Sequence, residues 1–299
     1  MTENSHIPVL LSESVQGLAL APGQTVLDVT LGLGGHSQKF LEAVGETGTL
    51  IGIDADEENL RHAQNRLENI PGTKIYHHTN FLSLPELNLP KCDRIFADLG
   101  VSSPHIDDPE RGFTFRTDAP LDLRYDREHG QTAAEWIQSS EAEEIIKALR
   151  YYGELVQARK IGEAIASAKP KTTYELRDAV ESIVGYRIKQ VLPQVFQAFR
   201  IIINSEQDAL QALLDTAPTV LAPGGILAVI SYHSLEDRMV KRTFRTLSTP
   251  EKDDYTGAIS KEAPFSLLTK KPIRPSEMEV SENPRSRSAL LRIIQKAQQ

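Results

Sequence analysis

One stretch near the amino end constrains the fold more than any other. Thr25 to Thr30 (TVLDVT) is a β-branched run that passes into a glycine turn, Gly32-Leu33-Gly34-Gly35, and then into a helical pattern from about His36 to Val44. A second apolar run, Thr49 to Asp54 (TLIGID), follows and ends on an acid. Strand, turn, helix, strand is the opening of a parallel sheet, because parallel neighbours need a crossover long enough to hold a helix. Glycines let the chain turn tightly and let a ligand approach the backbone, and the helix behind them offers unpaired N–H groups. Asp54 lies 22 residues beyond Gly32, the place for a carboxylate that holds ribose hydroxyls. Asp28 and Asp54 taken singly read equally well as turn caps; the ordered set indicates a nucleoside-bearing cofactor.

The α/β pattern continues with Glu57 to Asn69 as a helix and with Lys74 to His78 and Asp93 to Leu99 as third and fourth strands. After a loop rich in Ser, Pro, Asp and Gly, the sequence is helical from about Thr132 to Ala217: SEAEEIIKALRYY, LVQARKIGEAIASA, TTYELRDAVESIV and PQVFQAFRIIIN follow one another. Ser140 with Glu143 and Thr172 with Glu175 have capping-box spacing, and Pro170 and Pro193 punctuate the run. A buried fifth strand returns at Gly224 to Tyr232, then a helix SLEDRMVKRTFRTL, then an antiparallel pair near Phe265 to Thr269 and Ser288 to Ile294. The polar segment Ser248 to Ala263 reads as a mobile loop. The expected architecture is a doubly wound α/β domain, residues 1–105 and 205–299, interrupted by an all-α insertion over 106–204.

Composition narrows the class of protein. A hydrophobic fraction of 40% over 299 residues suits a packed globular core. Cys92 is the only cysteine, which excludes an intramolecular disulfide and a four-cysteine zinc site and fits a reducing cytoplasm. No metal site is expected, and no apolar run approaches the length of a membrane span. The net charge of −8 argues against bulk electrostatic binding of nucleic acid. The charge is uneven, however: Phe265 to Gln299 holds seven basic residues against three acidic ones, and Arg238, Lys241, Arg242 and Arg245 cluster nearby. A basic face is available, whether solvated or facing RNA.

The glycine turn separates two kinds of nucleoside cofactor. A dinucleotide enzyme matches G-x-G-x-x-G, but here Ser37 stands where the third glycine is needed, and Asp28 at the end of the first strand favours the methyltransferase form. In open sheets of this kind the ligand lies beyond the carboxyl ends of the strands, so the loop after strand four, Asp98-Leu-Gly-Val-Ser102-Ser103-Pro104-His105, should meet the substrate. The strings DLGVSSP, RGFTFR and PLDLRYD, with HIPVLL at the start, TLGLGGHS in the glycine turn, and SYHSLEDR and NPRSRSALLR later, resemble the bacterial 16S ribosomal RNA cytosine-N4 methyltransferases of the RsmH/MraW family. The resemblance runs from residue 6 to residue 292.

That resemblance implies a Rossmann-like class I methyltransferase sheet and an S-adenosylmethionine site formed by Gly34, Gly35 and His36, by Asp54 at the ribose, by Phe81 beside the adenine, and by Asp98 and His105. The family usually carries Gln at the position of His105. His36 on its own spacing reads as a ligand, a cap or a surface residue. The resemblance further implies a cytidine of 16S rRNA in the assembled small subunit as substrate, with the insertion as its recognition wall. For the chemistry, Asp98 is the candidate for orienting the amine, with the backbone of Ser102, Ser103 and Pro104 beside it. Tyr232 and His233 either hold a splayed-out base or are packed or capping residues. Three other readings stay open at this level: a methyltransferase for a small molecule or protein, a cofactor-sensing assembly factor without turnover, and a nucleotide-dependent oxidoreductase. The oligomeric state, a homodimer included, is not legible.

Overall fold

A computed structural model describes residues 8–253 and 255–298, so His6 and Ile7 of the HIPVLL segment lie outside the described residues. The chain forms two compact units, Met1–Gly100 with Ala209–Gln299, and Val101–Asp208. The insertion expected over 106–204 falls within the second of these units.

Along the first unit, α1 (Leu11–Leu18) precedes β1 (Thr25–Asp28), α2 (Gly35–Val44) crosses to β2 (Thr49–Asp54), and α3 (Glu57–Leu67) crosses to β3 (Thr73–His78). A 3₁₀ turn, Phe81–Glu86, then leads to β4 (Cys92–Asp98). The second unit holds α4 (Ser103–Asp107), α5 (Ala133–Ser139), α6 (Ala142–Tyr151), α7 (Ala158–Ala168), α8 (Thr173–Val184) and α9 (Ile188–Ile203). Then α10 (Glu206–Val220) leads to β5 (Leu221–Ser231), α11 (Ser234–Leu247), β6 (Glu251–Lys252), β7 (Ile259–Lys261), β8 (Phe265–Leu267), α12 (Glu277–Glu282) and β9 (Leu290–Lys296).

The sheet order is β3-β2-β1-β4-β5-β9-β8. The first five strands are mutually parallel, and β9 runs antiparallel between β5 and β8. Chain order reverses between β1 and β4, which makes their carboxyl ends the switch point of a doubly wound α/β sheet. Strand periodicity explains why the sequence reads as unbroken apolar runs. Leu27, Ile51, Ile95, Leu227 and Ile294 pack on one face with α10 and α11, while Val26, Leu50, Phe96, Ala228 and Ile293 pack on the other with α1, α2 and α3. A strand covered on both faces has no polar side to show. The second unit has a separate helical core that includes Leu121, Ile137, Leu149, Ile161, Leu176 and Phe199.

Three expectations are corrected. Pro193 does not break the chain but lies inside α9, where the buried row Leu192, Val195, Phe196 and Phe199 outweighs the one backbone donor the proline lacks. The cap of α6 is Glu141, boxed with Glu144, one residue later than Ser140 with Glu143. Thr172 does cap α8 by accepting from Glu175 N. Finally, the stretch expected as a mobile loop contains a hairpin, β6 with β7. Its Asp253 carboxylate accepts from Tyr255 N (3.1 Å) and Thr256 N (2.8 Å), so residues that signal a loop here supply the hydrogen bonds of a turn.

Candidate active site

Three carboxylates stand at the ends of three adjacent strands. Asp28 closes β1, Asp54 closes β2 and Asp98 closes β4. Asp54 ties the glycine turn to its own strand: Oδ2 accepts from Gly32 N (2.7 Å) and Oδ1 from Asp56 N (2.8 Å). Asp28 is buried, its Oδ2 accepting from Ser37 Oγ at 2.6 Å and its Oδ1 from Thr30 N at 3.1 Å. Burial, helped by the charge of Asp54, pushes Asp28 up to about 6 against the pull of the Ser37 and Thr30 hydrogen bonds.

Asp98 is held from several sides. Its backbone N–H donates to Thr30 Oγ1 at 2.6 Å, its Oδ1 accepts from the Tyr232 hydroxyl at 2.8 Å, and its Oδ2 lies 3.8 Å from His36 Nδ1. Burial pushes it up to about 7; the Tyr232 hydrogen bond opposes that, and the charges of Asp28 and Glu236 add to it. Its side chain nonetheless keeps 23% exposure, so one edge of a nearly neutral-range carboxylate faces out. That is the range in which a general base works at ordinary pH.

The glycines of the turn divide by what lies behind them. Gly34 caps α2 at φ 76°, and a Cβ there would meet Ala63 Cβ at 3.2 Å; a Cβ on Gly35 would meet Pro8 at 2.5 Å. Those two serve the packing of α2 against its own protein. Gly32, at φ 52°, has only Thr30 O within reach, at 3.8 Å, so its face is the open one. His36 is a buried packing residue, with Nε2 3.0 Å from Val9 O and its ring 4.6 Å from Phe96. Phe81 opens the 3₁₀ turn after β3 and packs half-buried on the sheet core.

After β5 the chain turns sharply. Tyr232 N and His233 N both donate to Glu236 Oε2, at 2.8 and 3.2 Å, and His233 caps α11. Tyr232 thereby points its phenol at Asp98 on the neighbouring strand, and burial beside Asp98 holds that phenol ionised only well above the usual tyrosine range. Ser102, Ser103, Pro104 and His105 belong to the second unit. There Ser102 caps α4, Ser102 N donates to His105 Nδ1 (3.1 Å), and the buried His105 ring stacks with Phe113 and Tyr125 at 5.2 and 5.0 Å. The structure thus gathers Gly34, Gly35, His36, Asp54, Asp98, Tyr232 and His233 in one unit and sets Ser102 to His105 in the other.

Residues 3–297 match the sequence pattern of the MraW methylase family. The chain belongs to that family. Relatives of this MraW methylase include a protein of Bacteroides fragilis, 43% identical over 97% of each chain, and one of Cyanothece sp., 42% identical over 97% of this chain and 94% of its own. Both are called Ribosomal RNA small subunit methyltransferase H. The crystal structure of an rRNA methylase from Streptococcus thermophilus aligns over 98% of this chain and 100% of its own, with 13% identity and a TM-score of 0.42.

Of the residues in this arrangement, Gly32 stood in the glycine turn already, whereas Thr30 and Glu236 were not among the candidates the sequence offered. The spacing that placed Asp54 was counted from Gly32, yet no signal said that Asp54 would bind that glycine's own N–H. Thr30 sits two residues past Asp28, the spacing of a local Asx turn, which was a usable signal. Glu236 gave none beyond its place three residues after His233.

Proposed function

We propose that this MraW methylase transfers the methyl group of S-adenosylmethionine to the exocyclic N4 of a cytosine in the 16S RNA of the small ribosomal subunit. The observation that carries the reading is Asp98: a carboxylate pushed up to about 7 by burial, at the switch point of the sheet, with one oxygen engaged by Tyr232. The names of the relatives support the choice of substrate.

The residues present fit the cofactor, since Gly32 offers an open backbone face where a Cβ would otherwise intrude. In this reading Gly32, Gly34, Gly35 and His36 shape the turn around it, Asp54 takes the ribose hydroxyls and Phe81 flanks the adenine. When bound, S-adenosylmethionine supplies a methyl group already activated by its sulfonium. The protein's task is then alignment and proton handling. Asp98, ionised, accepts an N–H of the cytosine amine through Oδ2, shifts electron density onto N4, and takes the proton released once N4 has gained its fourth bond. Burial keeps this carboxylate basic enough to do so.

Transfer to ring carbon C5 needs a thiolate to add to the base. Cys92 is the only cysteine; it is buried at the amino end of β4, the far end from Asp98, and burial pushes its thiol up to about 12. At ~3.3 Å per residue that separates it from the strand's other end by about 20 Å. For RNA docking, Arg238, Lys241, Arg242 and Arg245 are exposed on one stripe of α11, at i, i+3, i+4 and i+7. We assign recognition of the assembled subunit to the helical second unit, with Ser102, Ser103 and Pro104 as its substrate-binding residues.

The test is methyl transfer from labelled cofactor into small subunits that lack the modification, followed by nuclease digestion and mass analysis. N4-methylcytidine at one position is expected, with little product from a short cytidine oligonucleotide. Label on C5, or in protein alone, would overturn the reading.

A further inference from the structure

The geometry around Asp98 assigns a role to two residues that do not themselves face the reacting atoms. We propose that Tyr232, anchored by Glu236, is a positioning residue for Asp98: its phenol occupies Oδ1, so that Oδ2 is the oxygen presented to the substrate amine.

Every link is short and built from a different element. Asp98 pairs in register with Ile230 across β4 and β5, so Tyr232, two residues further on, stands beside the carboxylate as soon as the strand ends. A chain leaving a strand is free to swing, and here it is not. Glu236, buried on the first turn of α11, accepts both backbone N–H groups of the Tyr232–His233 pair through one oxygen. Its second oxygen lies 3.1 Å from His233 Nε2. Meanwhile Thr30 fixes the Asp98 main chain from β1. A phenol has one proton to give, and this one is given to Oδ1 at 2.8 Å.

The same arrangement tunes the carboxylate in two opposed directions. The phenol stabilises the ionised form by donating to it, whereas the Glu236 and Asp28 charges destabilise it; His36 Nδ1, at 3.8 Å, faces the other oxygen, and Glu279 of α12 adds a negative charge facing Tyr232. Removing the phenolic hydroxyl must therefore make Asp98 a weaker acid, and removing the Glu236 charge must make it a stronger one. A purely structural role for either residue predicts no such opposition.

The role rests on the reading of Asp98 as the group that handles the amine, but its test does not need that reaction. The carboxyl carbon of Asp98 is followed by NMR against pH in carbon-13-aspartate protein, assigned by its loss in Asp98→Asn. In Tyr232→Phe, which keeps the ring, the midpoint is expected to rise by about one pH unit; in Glu236→Gln, which keeps an acceptor for both N–H groups, it is expected to fall. The acid limb of kcat should follow. For Tyr232→Phe this means a loss of about tenfold on that limb, recovered at alkaline pH, with cofactor affinity unchanged. Midpoints that stay where they are in both variants, with rates falling evenly across pH, would overturn the proposal. Midpoints that move as expected in an enzyme whose product proves to be methylated elsewhere than N4 would uphold the clamp and sink the amine reading.

Discussion

Gly34 and Gly32 look interchangeable in a glycine-rich turn, yet one backs onto Ala63 and the other onto open space. Gly34→Val should therefore act on the fold: a β-branched residue at φ 76° with a Cβ 3.2 Å from Ala63 is expected to cost roughly 2–5 kcal/mol, read as a drop in the urea midpoint. Gly32→Ala carries only the left-handed strain, about 1 kcal/mol, and is expected to lose S-adenosylmethionine affinity at nearly full stability, measurable by calorimetry. Equal cofactor affinity in wild type and Gly32→Ala would remove that glycine from the site. Cys92→Ser should keep most activity, because the thiol is buried far along β4 from Asp98 and its Sγ donates to the Pro90 carbonyl, 3.4 Å away, which a hydroxyl can also reach.

Among the elements, those with a strong period were the legible ones. The strands β1, β2, β4 and β5 read clearly because both faces are covered, and α11 was legible to the residue, from Ser234 to Leu247. What escaped was governed by competition between local rules and packing. Pro193 reads locally as a stop, but α9 continues through it because its apolar stripe is already committed to the core of its unit. The proline is exposed, so Pro193→Ala should restore a backbone hydrogen bond at no loss of buried surface. A gain of about 2 kcal/mol in the second unit is expected, after allowance for the freer unfolded chain, and thermal unfolding would show it. A loss of stability would mean that the ring packs in a way its exposure does not suggest.

For the whole molecule, the buried carboxylates set the response to pH. Asp28 and Asp98, at about 6 and about 7, both lie above the ordinary carboxylate value, so the folded chain holds their protons more tightly than the unfolded chain does. Stability should rise as pH falls from 8 toward 5, since the cost of burying these charges disappears as they are neutralised. Below about pH 4 the trend reverses. Carboxylates held low in the fold, such as Glu42 by its Lys39 hydrogen bond, then lose their advantage. Urea midpoints across pH 4 to 8 check this sign. Asp98→Asn should flatten the curve and raise stability at pH 8 by roughly 1–3 kcal/mol while abolishing methyl transfer, the opposition expected where a site holds a charge the fold would rather not bury.

By itself the sequence determined the α/β class, the succession of the central strands and their crossover helices, and the positions of Asp28, Asp54 and Asp98 at strand ends, because those depend on short-range period and on spacing along one chain. Cys92, one residue before the run Asp93 to Leu99, falls by the same counting at the opposite end of β4 from Asp98. Only the tertiary structure decided what each group touches. Asp98 lies 134 residues from Tyr232, and their 2.8 Å hydrogen bond exists because β4 and β5 are neighbours with a whole helical unit between them in sequence. The division of labour among the glycines has the same origin. A glycine's missing Cβ acquires meaning only from what is packed opposite it, and for Gly34 that is Ala63, on a helix the turn itself does not contain.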